Sequence, residues 1–394
     1  MKQVTPNSMR MHVVILGDTN TGKSTLFNAM IGQENAIVSP VKGTTTDPVN
    51  KAMELLPFGP IVLIDTAGLN DIGELGLKRM AKTNNAIRRA TAAIYTADIN
   101  EFSKENYWRF LKTTMPHILV FTKCETADNV KITELKSRYK KAFFWNKNDN
   151  NQLKDLHAIL SDLLTSLEEK EKPLISDLVQ KGSTVLLIMP IDSEAPKGRI
   201  ILPQVQVLRD CLDNGIFSIV ITEKELESAV NKFCNIALVV TDSQVFEFVN
   251  SVLPTSIPLT SFSMLYARQK GDFSQLLAGI EVIPFLKDGS KVLILEGCTH
   301  NCNHEDIGRV KIPALLRKKT GRDFIIDIKS GYDFPSEVIG DYDFVIQCGG
   351  CMLNRKEIKN RLNVLAENHI PVTNYGVLLA WGADMLARSI EIFS

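Results

Sequence analysis

The sequence predicts an α/β chain of more than one domain, and three observations carry that prediction. Its 394 residues far exceed the roughly 150 of an ordinary domain. Short apolar runs alternate with longer amphipathic stretches, the pattern of mostly parallel sheets covered by helices. The charges balance, 45 Lys+Arg against 45 Asp+Glu, with 44% apolar residues, as in a soluble globular protein. That balance excludes a large single-sign surface field, so no stable nucleic-acid partner is expected. No apolar run reaches about 18 residues, and the start MKQVTPNSMRMH lacks the apolar core of a signal peptide. The expectation is a cytoplasmic chain without a membrane partner.

Three units follow along the chain, at 1–172, 173–269 and 270–394. In the first, His12 to Leu16, Ile61 to Ile64, Ala92 to Thr96 and Ile118 to Phe121 read as strands. Lys23 to Ile31, Glu74 to Arg89, Lys104 to Thr113 and Leu153 to Leu167 read as helices. The charged run Glu168 to Lys172 before Pro173 marks an exposed boundary. The second unit alternates again from Val185 to Arg268, with no Gly-rich loop or catalytic cluster after its strands, so a structural or pairing role is expected. In the third, Lys291 to Leu295, Phe324 to Ile328 and Phe344 to Ile346 read as strands, two of which end at cysteine groups. Strand carboxyl ends are where open α/β sheets leave a crevice for ligands.

GDTNTGKS, Gly17 to Ser24, fits GxxxxGK[ST] between an apolar strand and a helical run. Gly17 and Gly22 let backbone N–H groups turn toward phosphates at a helix start, which Thr25 continues. Lys23 neutralises β and γ oxygens, and Ser24 is a Mg²⁺ ligand. Asp65, directly after the strand PIVLI, is placed to hold Mg²⁺, and Gly68 offers a backbone donor to the γ phosphate. GTTT, Gly43 to Thr46, reads as a loop that closes over the metal, with Thr45 the preferred ligand. Lys23, Thr45, Asp65 and Gly68 are the expected catalytic set.

The arrangement resembles translation-factor-related GTPases, in the branch of the tRNA-modification and ribosome-assembly GTPases. That resemblance implies guanine binding through NKxD, which here would be Thr122, Lys123, Cys124 and Glu125, altered at both ends. Glu125 can still accept two guanine N–H bonds, and the Lys123 stem can pack on the base. A literal match, Asn146-Lys147-Asn148-Asp149, lies farther from Asp65 and is read as a polar surface loop. Asn20 resembles the asparagine that helps bind potassium in that branch. No His or Gln after DTAG clearly orients water, so hydrolysis is expected to be slow and the nucleotide to act as a switch.

Of seven cysteines, Cys124, Cys211 and Cys234 read as buried inert thiols. Cys298-Thr299-His300 and Gln347-Cys348-Gly349-Gly350-Cys351 instead deliver three thiols and an imidazole from two strand ends, with Cys302 nearby. A metal site is expected, either zinc or an iron-sulfur cluster with one replaceable position; a redox thiol pair is a third reading.

The combination of P-loop motifs, middle unit, CTH, EDIGRVKIP, CGGC and CMLNR resembles the [FeFe]-hydrogenase maturation GTPases along essentially the whole chain. The resemblance implies a P-loop GTPase domain, a dimerisation domain and a [4Fe-4S] cluster domain, with GTP/GDP, Mg²⁺ and K⁺ as cofactors. It implies cluster ligands at Cys298, Cys348 and Cys351, with His300, Cys302 and His304 as alternates, because Gln347 stands where the family usually has His. It implies a homodimer that accepts a diiron precursor and transfers it to apo-[FeFe]-hydrogenase, with radical SAM maturation enzymes as partners. The competing expectation is a GTP-dependent ribosome or RNA assembly factor with a structural zinc site.

Overall fold

The computed structural model describes residues 5–32, 49–68, 74–149, 151–168, 172–191, 200–297, 307–335 and 337–393, with only the backbone at 74–81. Thr45, Cys298, His300, Cys302 and His304 lie outside the described residues. The chain divides into two compact units, Met1–Glu169 and Lys170–Ser394.

The first unit is built on strands β1 (Met11–Gly17), β2 (Val49–Leu55), β3 (Gly59–Asp65), β4 (Ala92–Asp98), β5 (His117–Thr122) and β6 (Phe143–Phe144). Their order is β2-β3-β1-β4-β5-β6. All neighbours run parallel except β2, which pairs antiparallel with β3. Helices α1 (Lys23–Ile31), α2 (Glu74–Arg89), α3 (Lys104–Leu111), α4 (Asn129–Arg138) and α5 (Asn151–Leu167) connect them. Alternation along β1 serves two cores: Val13 and Ile15 join Leu26, Phe27, Leu156 and Leu160, while Val14 and Leu16 join Tyr95, Phe110, Phe121 and Leu135. Both faces are thus covered, which explains why parallel strands read as continuous apolar runs. Ser103 and Asp128 start α3 and α4 by accepting the backbone N–H three residues on.

His12, 1% exposed, sits in β1 with its Nε2 3.0 Å from the Asn7 carbonyl. Burial, reinforced by the positive charge of Arg89, pushes its imidazole down to about 3 from 6.5. The folded state therefore holds it neutral, and its stability contribution is present above about pH 6.5 and is lost as pH falls toward 3. Buried His157, also shifted down by burial, adds the same sign. Acidification from pH 7.5 to 5 is expected to lower the urea midpoint, and His12→Gln to flatten that decline; an unchanged slope in the variant would refute the assignment.

The second unit carries two four-stranded parallel sheets. One contains β7 (Thr184–Ile188), β8 (Phe217–Ile221), β9 (Ile236–Thr241) and β10 (Leu259–Ser261), in the order β10-β9-β7-β8. Around it lie α6 (Leu202–Asp213), α7 (Leu226–Lys232), α8 (Phe246–Val252) and α9 (Phe262–Lys270). The following helix α10 (Phe273–Val282) leads to the other sheet, β11 (Lys291–Glu296), β12 (Ile325–Ser330), β13 (Phe344–Gln347) and β14 (Val372–Asn374), ordered β12-β11-β13-β14. Helices α11 (Ile312–Thr320), α12 (Arg355–Glu367), α13 (Tyr375–Gly382) and α14 (Leu386–Ile390) complete it.

The sheets of this unit are joined by specific bonds. Thr260 Oγ1 donates to Ser389 O at 2.8 Å, and Arg388 Nη2 donates to Pro254 O at 2.7 Å. At the end of α9, the buried ammonium of Lys270 donates to Gly350 O and Leu353 O, each at 3.1 Å. Among the described helices none is long and apolar enough to cross a membrane. Of the three thiols expected to be buried and inert, Cys211 is buried and pushed up to about 11 by burial, and Cys124 is half-buried. Cys234 corrects that expectation: it is exposed, because it lies in the short connection between α7 and β9 and not within either element.

Candidate functional site

The first site forms where β1 gives way to α1. The chain turns through left-handed conformations at Asn20 (φ 63°) and Gly22 (φ 81°), then enters α1 at Lys23. Lys23, 7% exposed, aims its ammonium back into the loop and donates to Asp18 O at 2.6 Å and Gly17 O at 3.3 Å. Asn20, Ser24 and Thr25 are exposed. Asp65, at the carboxyl end of β3, accepts a 2.6 Å bond from Ser24 Oγ through Oδ2. Its Oδ1 is buried and has no partner among the described residues. Burial pushes this carboxyl upward, against the Ser24 bond and the Lys23 charge. A buried, underused carboxylate oxygen beside a serine hydroxyl suits a hard divalent cation. Gly68 lies so close to the loop that a Cβ there would fall 2.4 Å from Thr19 Oγ1, so only glycine fits.

Several cross-links that hold this loop were not expected from sequence. Thr122 Oγ1 donates to Thr21 O at 2.7 Å and stands 3.2 Å from Ala97 O. Thr21 and Thr96 hydroxyls bond at 2.9 Å, and Asn106 from α3 donates to both oxygens of Asp18 at 3.0 Å. Thr122 thus ties β5 to the loop between β1 and α1. Thr122→Val is expected to cost about 1–3 kcal/mol, because it strips buried carbonyls of a donor, and to weaken nucleotide binding. Urea unfolding with GDP titration checks both, and a neutral result in both would refute the tether.

Beyond β5, Lys123 is left-handed (φ 58°) and pairs with Asp98 at 2.6 Å. Asp98 ends β4, a charged residue at a strand's carboxyl end that sequence could have flagged. Glu125, on the turn Cys124–Thr126, is 12% exposed in its side chain. Its Oε1 lies 3.5 Å from Lys147 Nζ, and its Oε2 is buried without a partner among the described residues.

The second site lies at the carboxyl ends of β11 and β13. Leu295 pairs with Gln347, and Cys348 N–H donates to Leu295 O at 2.8 Å. Cys348 Sγ accepts N–H bonds from Gly297 at 2.9 Å and Gly350 at 3.4 Å. Burial pushes its thiol up, opposed by these two bonds and by the charge of Arg361. Gly350 is left-handed (φ 64°), and a Cβ there would lie 2.6 Å from Ile358 Cδ1. Gln347 is 4% exposed and its Oε1 has no partner among the described residues. It lines a small pocket with Lys270, Cys348 and Asn374. Cys351 is half-buried. Among the described residues no group of three or more His, Cys, Asp or Glu side chains gathers as for a metal ion. The other expected cluster ligands lie outside them. Of the cations near this end, Arg309 stands 3.7 Å from Glu296, and Lys329 stands 4.0 Å from Asp333.

Comparison with known proteins gives the class first. Residues 12–123 match a family described as a 50S ribosome-binding GTPase, so the P-loop unit is a GTPase domain in an all-α/β chain. The remaining units decide the family. Residues 174–271 match the Hydrogen maturase F dimerization domain, and residues 274–392 the Hydrogen maturase F tetramerization domain. The chain belongs to the Hydrogen maturase F family and carries a GTPase domain. The dimerization and tetramerization domains point to oligomerisation; the tetramerization label falls on the unit expected to bind a cluster.

Similar proteins match part of the chain. The tRNA modification GTPase MnmE of Helicobacter acinonychis is 29% identical over 181 residues, 43% of this chain and 39% of that protein. Its counterpart in Erythrobacter litoralis is 46% identical over 91 residues, 23% of this chain and 20% of that protein. The chain thus spans well under half the length of these curated relatives. Among solved structures, Era of Aquifex aeolicus gives 24% identity and TM-score 0.32, covering 41% of this chain and 59% of that one. The G domain of T. maritima FeoB gives 24% identity and TM-score 0.30, covering 39% and 99%.

Proposed function

We propose that this chain is a GTP-hydrolysing scaffold that carries a diiron precursor beside a [4Fe-4S] cluster and passes it to apo-[FeFe]-hydrogenase. The observation that carries the reading is Cys348. Its sulfur already accepts backbone N–H bonds from Gly350 and from Gly297, the residue that precedes Cys298 in the chain. Such donors stabilise a thiolate, the form that binds iron. Cys298, Cys348 and Cys351 would hold the cluster, with His300, Cys302 and His304 as alternates. When bound, the cluster supplies an iron whose remaining coordination position is replaceable. Gln347, whose amide is a poor iron ligand beside imidazole, leaves that position to another group.

In the nucleotide site, Gly17, Gly22, Lys23 and Thr25 would bind phosphates, while Ser24, Thr45 and Asp65 would hold Mg²⁺. Asn20 would contribute to a potassium site, Gly68 would donate to the γ phosphate, and Thr122 to Glu125 would meet the base. Hydrolysis would switch contacts with maturation partners, radical SAM enzymes among them. The division into 1–172, 173–269 and 270–394, homodimerisation through the middle unit and a cytoplasmic setting belong to the same proposal.

The test is anaerobic purification with iron and acid-labile sulfide counting, and electron paramagnetic resonance before and after adding the diiron precursor. About four iron and four sulfide per chain, a signal altered by the precursor, and loss of both in Cys348→Ser support the reading. One zinc without sulfide overturns it.

A further inference from the structure

We propose that Lys147 sets the base selectivity of the nucleotide site by occupying one oxygen of Glu125, so that the site accepts 6-oxopurine nucleotides with or without a 2-amino group. The inference rests on the base-site reading of Thr122 to Glu125 given above.

Four observations support it. First, the turn that bears Lys147 is built by its neighbours. Asn146 N–H donates to Gln152 Oε1 at 2.8 Å, Asn146 Oδ1 accepts Asn148 N–H at 2.9 Å, and Asp149 Oδ1 accepts Asn151 N–H at 3.0 Å. Trp145 N–H, bonded to Phe121 O at 2.8 Å, anchors the segment beside β5. The polar side chains of Asn146 and Asp149 thus serve the turn itself, whereas the ammonium of Lys147 reaches Glu125.

Second, the two oxygens of Glu125 are unequal. Oε1 has the ammonium at 3.5 Å, whereas Oε2 is buried and without a donor among the described residues. A buried carboxylate oxygen lacking a donor is costly unless a ligand supplies one. Third, guanine offers a carboxylate two donors, N1–H and the 2-amino group, while hypoxanthine offers N1–H alone. With Oε1 shared with Lys147, N1–H can take Oε2, and the 2-amino group meets an oxygen already neutralised. Fourth, Thr122 donates its hydroxyl proton to Thr21 O, so that donor is not available to the base.

The pair is also removable. Lys147 is 56% exposed in its side chain, and an ion pair with so exposed a partner contributes little to folding. Its effect falls on the ligand instead, because one charge-assisted hydrogen bond gained or lost changes affinity about tenfold or more.

The experiment is calorimetric titration of the full chain with GDP and with IDP, both with Mg²⁺. For the unaltered protein the two dissociation constants are expected to differ by less than about tenfold. Lys147→Met should tighten GDP and leave IDP nearly unchanged, raising the ratio at least about fivefold. Lys147→Arg should keep the original ratio, since it keeps the cation. A ratio above about a hundredfold in the unaltered protein, or one that Lys147→Met does not move, overturns the proposal. Glu125→Ala separates the two levels of inference. If it leaves GDP affinity untouched, the base-site assignment itself fails; if it weakens GDP while Lys147→Met leaves the ratio alone, only the role of Lys147 fails.

Discussion

Glu357→Ala is expected to destabilise the second compact unit by about 3–5 kcal/mol, read as a lowered urea midpoint. Glu357 and Arg361 are each 1% exposed and bond at 2.7 Å on consecutive turns of α12. The guanidinium also donates to Gly331 O at 2.9 Å and lies 5.6 Å from the Phe334 ring centre. Removing the carboxylate strands a buried cation, which is far costlier than removing the pair. Replacing both, Glu357→Leu with Arg361→Met, should therefore recover most of the loss. A single variant that unfolds like the original would show that the pair contributes nothing. Because Ile358 of the same helix packs against Gly350, these variants also report on how far the sulfur site depends on α12.

Lys23→Ala is expected to reduce GTP turnover by about 100-fold or more, since a lost donor to charge on a transferring group typically costs that much. Lys23 is 7% exposed, and its ammonium is held over the loop by the carbonyls of Gly17 and Asp18. It is thus oriented before any phosphate arrives. Phosphate release followed at saturating GTP measures the effect. Turnover within about threefold of the original would remove Lys23 from the phosphate site.

What sequence reading recovered follows from periodicity and local motifs. The run of β1, the turn at Gly17 to Gly22 and the start of α1 were readable because a doubly covered parallel strand is uniformly apolar and the phosphate loop has a fixed spacing. The strands β7, β9, β11 and β13 were readable for the same first reason. β2 was not, because Asn50, Lys51 and Glu54 interrupt its apolar residues on an antiparallel edge. β14 has only three residues, too few for any period to show. At the nucleotide site the phosphate-loop residues were legible, whereas the tether from Thr122 and the approach of Lys147 to Glu125 join segments far apart in sequence. Lys147 was further masked by a run that spells a guanine motif while folding as a turn. At the thiol end the cysteine spacing was legible, but the N–H donors to Cys348 were not, since backbone groups carry no residue signature.

Lys270 has one more consequence. It closes α9 and belongs to the sequence of the dimerization unit, yet its two bonds end on the carbonyls flanking Cys351. A fragment beginning at Gly271 would therefore be missing a fastener from the very loop it was meant to display. The nine residues of α9 thereby join that loop to β10 of the neighbouring sheet, which ends where α9 begins.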